Sequence, residues 1–443
     1  MNTVSIVLQL ILCLSILVVL HECGHFFPAK WFKTRVEKFY LFFNPWFSLY
    51  KVQKGETEYG IGWIPFGGYV KIAGMIDESM DKDQMKGPVQ PWEFRAKPAW
   101  QRLIIMVGGV VVNFILGFLL FAMIFMVWGK EYVKTEDVKY GISVGSIGEE
   151  MGLKDGDVIL KVGDYTMDRF NPGMVVQQIL IDGASQVQVR RDDKILNIGV
   201  SPAVKDELSK SQGNDFIGLR QPLKVKSVKG GTEAEKINLE KDGTIIEADG
   251  KPIAYFHELS KALDLKKGED ISLKLVSASG DTLSRIAKVT EQGTLGFQPY
   301  DYGEFMTVSH DKYSLFKAIP AGVKEGINFL SLQLKAFKKM FTGELDYKNS
   351  LGSIISVSTL FDPSWDWHQF WYITATLSII LGFFNILPIP ALDGGYVVFL
   401  IYEMITGKAP SDKFMEVVNV IGFILLISLM IFALGLDISR FFR

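Results

Sequence analysis

Four stretches of the 443-residue chain are apolar for longer than any helix turn or strand requires. The first runs from Val4 to Leu20 and continues through HECGHFFPA. The second covers Leu103–Trp128, the third about Phe370–Leu387 and the fourth about Val417–Leu436. Crossing the hydrocarbon of a bilayer takes roughly 20 such residues, so each stretch reads as a transmembrane helix once its flanks are counted. The first is too long for a secretory signal, has no basic residue ahead of it and no small-residue cleavage site behind it. It is expected to stay in the mature chain.

Elsewhere the apolar positions change period. Over roughly 132–305 the chain reads as two copies of one unit, GLKDGDVILKVGDYTM (Gly152–Met167) and NLEKDGTIIEADGKPI (Asn238–Ile253). Each has a turn, a buried strand and a second turn at Gly163 or Gly250. An alternating hairpin follows, QVQVRRDDKILNIGV or ISLKLVSASGDTLSRIAKV, and each copy closes on a short strand at 217–219 or 295–297. Two units of this size are small α+β or barrel-like domains. Residues 315–341 place Ile319, Val323, Ile327, Leu330, Leu334 and Phe337 on one helical face with lysines opposite, an amphipathic helix suited to the membrane surface or to packing on the soluble domains. The segment Glu58–Gly74 (EYGIGWIPFGGYVKIAG) is glycine-rich and aromatic, too broken to span, and reads as strands or a re-entrant loop.

Composition and charge sharpen this picture. The hydrophobic fraction of 48% is high for a soluble chain of this length, and a net charge of −2 excludes a nucleic-acid partner, which would need a basic face. Cys13 and Cys23, the only cysteines, both fall in the first apolar stretch, so no disulfide framework exists. Lys30, Lys33, Arg35 and Lys38 follow the first span, and Arg95, Lys97 and Arg102 precede the second. By the positive-inside rule this loop faces the cytoplasm. The N-terminus and the repeats then lie outside, and the short loop carrying Lys408 and Lys413 lies inside.

The chemistry concentrates in HECGH. On a helix His21 and His25 stand one turn apart on one face, a spacing that binds a metal such as Zn²⁺, with Glu22 beside them as a general base. Cys23 projects to the opposite side. Ionisable groups inside a membrane span are costly and mark function. A catalytic zinc takes three protein ligands. His257, His310 and His368 are the other histidines of the chain, and the charge-derived topology puts all three on the far side. A carboxylate is therefore required, and Asp393 in NILPIPALDGG fits, where prolines and glycines break the helix. Spacing alone equally allows Asp393 to be a capping or loop aspartate.

Taken together, HECGH in the first span, PFGGYVK after it, Asn113 in the second span, the two repeats and NILPIPALDGG in the third resemble the site-2 protease family of intramembrane zinc metalloproteases. The resemblance follows nearly the whole chain in the same order. It implies a polytopic α-helical membrane protein with four transmembrane helices, two tandem PDZ-like domains and a membrane-associated β-hairpin or re-entrant region. The parts would be 1–130, 131–220, 221–305, 306–365 and 366–443. It further implies Zn²⁺ held by His21, His25 and Asp393, Glu22 as catalytic residue, and Asn385 and Asn113 as polar support. A substrate-binding edge strand would run around Gly67, Gly68, Tyr69 and Val70. The expected partners are single-span membrane proteins, the lipid bilayer and peptide termini on the PDZ-like domains. The expected location is the bacterial inner membrane, with the tandem on the external side. Two positions depart from the family: Gly109 and Ser353 stand where proline is usual.

Two further readings carry less. Gly141-Ile142-Ser143-Val144-Gly145 matches a hydrolase nucleophile elbow, but no hydrolase strand–turn–helix follows it. A membrane adaptor with a structural zinc, or a zinc transporter, would not require Glu22 beside the histidines, and no inverted repeat accompanies them.

Overall fold

A computed structural model of the chain describes residues 2–75, 87–211, 213, 215–343, 345, 352–362 and 364–441. They form two compact units, one drawn from 1–129, 312–338 and 351–443 and the other from 130–311 and 339–350.

The first unit begins with α1 (Asn2–Trp31), a helix apolar on all sides apart from its C-terminal third. Four strands follow: β1 (Val36–Phe43), β2 (Tyr50–Lys54), β3 (Thr57–Ile61) and β4 (Ile64–Ile72), in the order β2-β3-β1-β4. The glycine-rich segment is thus part of a sheet, and β4 is its edge, antiparallel to β1 with Val70 opposite Phe39 and Gly68 opposite Leu41. Rings of Tyr40, Tyr69 and Phe43 stack along one face. Tyr40 also donates to Glu58 at 2.8 Å, and Tyr69 to Asn44 at 2.9 Å. The chain then enters α2 (Ala99–Val127).

The second unit opens and closes on a strand pair, β5 (Lys130–Tyr132) with β18 (Ser309–Asp311). Between them two repeats share one topology. The first has β6 (Ile142–Val144), α3 (Ser146–Met151), β7 (Val158–Val162), β8 (Tyr165–Thr166), α4 (Pro172–Leu180), β9 (Gln186–Arg191), β10 (Lys194–Gly199), α5 (Pro202–Lys210) and β11 (Ile217–Leu219). The second has β12 (Val225–Val228), α6 (Glu233–Lys236), β13 (Thr244–Ala248), β14 (Lys251–Pro252), α7 (Phe256–Asp264), β15 (Asp270–Val276), β16 (Thr282–Lys288) and β17 (Phe297–Pro299). Their sheets run β10-β9-β7-β8 and β16-β15-β13-β14, each beside a two-stranded ribbon. Alternating residues such as Val187 and Val189, or Ile271, Leu273 and Leu275, are fully buried, so each repeat has its own core.

The chain returns to the first unit through α8 (Leu315–Phe341), the short α9 (Ile354–Ser358), α10 (Trp367–Ile386), α11 (Asp393–Thr406) and α12 (Asp412–Phe441). The amphipathic spacing held for α8, but its packed row is displaced by one residue. Ala318, Gly322 and Gly326 are buried, the glycines against Phe118 and Ala122 of α2, while Ile319, Ile327 and Leu334 stay exposed. Small residues let two helices approach closely, which outweighs the larger apolar row where lipid can cover it. Further along, Phe337 packs on Phe383 and Phe384. The last helix is anchored at Asp437, whose carboxylate accepts from the amides and hydroxyls of Ser353 and Ser356 at 2.5–3.1 Å. Ser353 Oγ also accepts from the Ile355 amide at 3.2 Å and so caps α9, while its bonds to Asp437 tie that helix to α12. Among the described residues, four helices are long and apolar enough to cross a membrane, Val4–Trp31, Ala99–Val127, Trp367–Ile386 and Lys413–Ser439, in agreement with the four apolar stretches.

Candidate metal centre

The two histidines of HECGH leave the same face of α1, as i, i+4 spacing requires. That face meets α2 where neither helix carries a side chain. Gly24 and Gly108 approach backbone to backbone, and a Cβ on Gly109 would lie 2.6 Å from His21 Cε1 and nearer still to His25 Nε2. The close crossing brings polar groups of α2 against both imidazoles. His25 Nδ1 lies 2.9 Å from the Ile105 carbonyl oxygen. A carbonyl can only accept, so this nitrogen carries the proton and Nε2 keeps its lone pair. His21 Nδ1 lies 2.9 Å from Asn113 Nδ2, and its Nε2 lies 3.4 Å from Asn385 Nδ2 of α10.

Asp393 arrives from a different part of the chain. After α10 ends, Leu387–Leu392 turn back sharply, with Ile389 N donating to Leu387 O at 2.7 Å and Leu392 N to Ile389 O at 3.1 Å. Ala391 takes a left-handed φ of 71°, a conformation that costs a non-glycine residue about 1–2 kcal/mol. Asp393 is then the first residue of α11, not its N-cap, which is Leu392. The turn presents the carboxylate to the imidazoles rather than to the helix's own amides. Gly394 and Gly395 press against the carbonyls of Leu387 and Ile389, where a Cβ has no room.

The outcome is a triangle of ligand atoms. His21 Nε2 and His25 Nε2 are 3.2 Å apart, and Asp393 Oδ2 is 3.4 Å from each. A tetrahedral zinc with bonds of roughly 2.0–2.1 Å has edges of about 3.3–3.4 Å, so these residues fit that ion without rearrangement. The three side chains are 12%, 9% and 14% exposed, and beyond the imidazoles the buried Asp393 Oδ2 has no hydrogen-bond partner among the described residues. An ionised oxygen in such a setting needs a cation. Glu22 follows His21 directly on α1 and is half-buried. The strand β4 packs on this same helix, Gly68 against Val18 one turn before His21. Gly67, Gly68, Tyr69 and Val70 are thus brought beside the helix that carries both histidines.

Spacing and motif nominated His21, Glu22, His25 and Asp393, and the family resemblance nominated Asn113 and Asn385; the structure brings these side chains, Glu22 apart, within 3.4 Å of a neighbour in the group. Neither reading found the Ile105 carbonyl, because a backbone acceptor leaves no trace in residue type. The glycine pair in an otherwise apolar helix was the available sign of the close crossing.

A second group of candidate ligands, Asp155, His257 and Glu258, joins the two repeats of the second unit. It is already committed. Asp155 accepts from His257 at 2.9 Å and from the Val144 amide at 2.7 Å, and Glu258 caps α7 through the Ala254 and Tyr255 amides. Burial alone would raise the Asp155 carboxyl. The His257 bond, the Val144 amide and the Arg220 charge outweigh it and hold the group below its ordinary value. Ser143 of the GxSxG match lies within β6 opposite Gly218, not on a strand-to-helix elbow.

Two histidines one turn apart, an aspartate from a remote helix and four candidate spans define a metallopeptidase of the membrane. The chain belongs to Peptidase family M50, whose profile matches residues 9–429, and it is a zinc-dependent protease. It is similar to the regulator of sigma E protease of Haemophilus influenzae, with 26% identity over 97% of this chain and 98% of that one. It is also similar to proteins bearing zinc-metalloprotease names in Thermotoga maritima (24% identity, 98% and 99% covered) and Rickettsia conorii (27% identity, 98% and 99% covered).

Proposed function

We propose that His21, His25 and Asp393 hold the catalytic zinc and that the chain hydrolyses a peptide bond within, or at the edge of, the membrane segment of a single-span protein. The observation carrying this is the ligand triangle, 3.2–3.4 Å on a side, with both histidines on a helix apolar enough to span and Asp393 at the start of the short helix that follows another such span. Bound zinc supplies Lewis acidity, polarising the scissile carbonyl and acidifying the attacking water. Glu22 accepts the water's proton and delivers it to the leaving amine nitrogen. Asn385, whose amide lies beside His21, donates to the developing oxyanion or to substrate backbone.

A transmembrane helix hides its carbonyls in its own hydrogen bonds, so a substrate must unwind before it is cut. β4, the outer strand of the sheet among the described residues, lies beside α1 and includes Gly67, Gly68, Tyr69 and Val70; in this reading it lends backbone partners to an extended segment. In this reading the two repeats of the second unit, each with its own core, are tandem PDZ-like domains that screen substrates or hold peptide termini outside the bacterial inner membrane. The basic residues flanking the first two spans favour that orientation.

The test is a single-span reporter co-inserted with the native chain or with Glu22→Gln. The native chain is expected to cut and to stop when zinc is chelated, while Glu22→Gln keeps its zinc and loses at least about 10²- to 10⁴-fold in rate. Equal cutting by both would remove Glu22 from the chemistry, and cutting by neither would favour an adaptor working through its PDZ-like pair around a structural zinc.

A further inference from the structure

The side chain of Asn113 is buried to 0% exposure and leaves one of its two polar ends without a partner. Its Nδ2 faces His21 Nδ1 at 2.9 Å, while Oδ1 is buried with no hydrogen bond among the described residues. The residue cannot swing away. Its own carbonyl accepts from Ser378 Oγ of α10 at 2.7 Å, and its Cβ abuts Gly382 on the same helix. The one hydrogen-bond partner of the Asn113 side chain among the described residues is His21.

The proton inventory of the two imidazoles decides which end must face His21. His25 is settled, since the Ile105 carbonyl holds the proton on Nδ1 and leaves the Nε2 lone pair free. If Asn113 donates through Nδ2, His21 Nδ1 must accept, and the proton of the neutral ring moves to Nε2. That nitrogen is 3.2 Å from His25 Nε2 and 3.4 Å from Asp393 Oδ2. Its N–H would then point into the ligand triangle and occupy the position a metal needs. If the amide is turned over, Oδ1 accepts the Nδ1 proton, and His21 presents a lone pair as His25 does. The exchange moves no heavy atom by more than the difference between an oxygen and an NH₂ group.

We propose that Asn113 is a positioning residue which presents its amide oxygen to His21 Nδ1–H, and so selects the tautomer in which Nε2 is a metal ligand. It acts at His21, which the Gly109 backbone also contacts, as the Ile105 carbonyl acts at His25, so one helix, α2, sets the tautomers of both imidazoles from positions eight residues apart. This rests on the reading that His21 is a zinc ligand. It extends that reading by assigning a direction to one hydrogen bond. Outer partners of this kind fix ring orientation and raise ligand basicity, and losing one costs about 10- to 100-fold in metal affinity.

The direction of the bond can be measured without reference to activity. The probe is cobalt(II), titrated into the full chain in detergent after chelation, with the visible band of the bound ion reporting affinity. The variants are Asn113→Asp, which when ionised can only accept, and Asn113→Leu, which can do neither. The expected result is native-like or tighter binding by the Asp variant, and binding about 10- to 100-fold weaker by the Leu variant. An Asp variant weakened as much as the Leu variant would show that Asn113 donates, and unchanged binding by Leu would show that it does not position His21. Either outcome overturns the proposal. Native-like cobalt binding by His21→Ala would instead remove the zinc-site reading beneath it. Histidine ¹⁵N spectra of the zinc-loaded native chain supply a measurement free of variants. A protonated Nδ1 on both His21 and His25 is expected, and an unprotonated Nδ1 on His21 overturns the assignment.

Discussion

Replacing Gly109 by alanine adds one methyl group at the point where α2 meets the two imidazoles. The new Cβ would lie 2.6 Å from His21 Cε1 and closer to His25 Nε2, whereas ordinary contact begins at 3.4 Å. Relief therefore requires at least about 0.8 Å of movement, the difference between those two distances. Neither ring can easily supply it, since His25 is tied to Ile105 and His21 to Asn113, each at 2.9 Å. Metal ligands tolerate about 0.2 Å, and a displacement near 1 Å costs about 100-fold in rate where reacting groups must align. Gly109→Ala is thus expected to lose at least about tenfold in zinc affinity and about 100-fold in reporter cleavage. Its loss of stability should stay within the roughly 1–3 kcal/mol of an overpacked core. Gly117→Ala is the control. It crowds the same helix, but against Ile379 and the Ala375 carbonyl of α10 rather than against either imidazole. The assay pairs zinc content by competition with a colorimetric chelator, cleavage of the reporter, and thermal unfolding in detergent. If the two variants lose stability and activity in parallel while both retain zinc, the close helix crossing does not position the ligands and the reasoning fails.

Two other perturbations separate the parts of the reading. Val70→Pro removes an amide from the edge strand β4, opposite Phe39 in register. It is expected to retain zinc and lose cleavage of a helical reporter, and normal cutting would refute the strand as a substrate clamp. In the second unit, Asp155 is held below the ordinary carboxylate value in the folded chain. A depressed value stabilises the fold above the unfolded carboxylate range, about 3.9, and that contribution is lost as pH falls through the folded value. Hydrogen exchange over residues 142–157, corrected for intrinsic rate, should therefore quicken in the native chain when pH drops from 6 to below 4. Asp155→Asn should flatten that response, and an unchanged pH dependence in the variant would assign it to other groups.

Much of this protein was legible from residue order alone, because the physics involved is local. Apolar stretches longer than a turn require a bilayer or a core, and all four became helices of spanning length. The i, i+4 placement of His21 and His25 needs only a helix to put both rings on one face. The period-2 hairpins at 186–199 and 270–288 recur in both repeats because alternation fixes which side faces the core. Asp393 could be nominated but not chosen from spacing. A carboxylate 368 positions beyond His25 is a ligand only if the chain turns back through Ala391 and the glycines after it let α11 pack against that turn.

The face that α8 packs, the strand order that leaves β4 at an edge, and the carbonyl of Ile105 at His25 belong to the tertiary structure. Each depends on which surfaces come within contact distance. At α8 a row of small residues prevailed over a row of large ones, since close approach of helices rewards the absence of side chains, and absence has no period to read. The amino-acid order determines the ligands this chain can offer. The crossing of α1 with α2 determines the distance between them and the protons they carry, because only a folded backbone can hold a carbonyl and an amide 2.9 Å from the two rings.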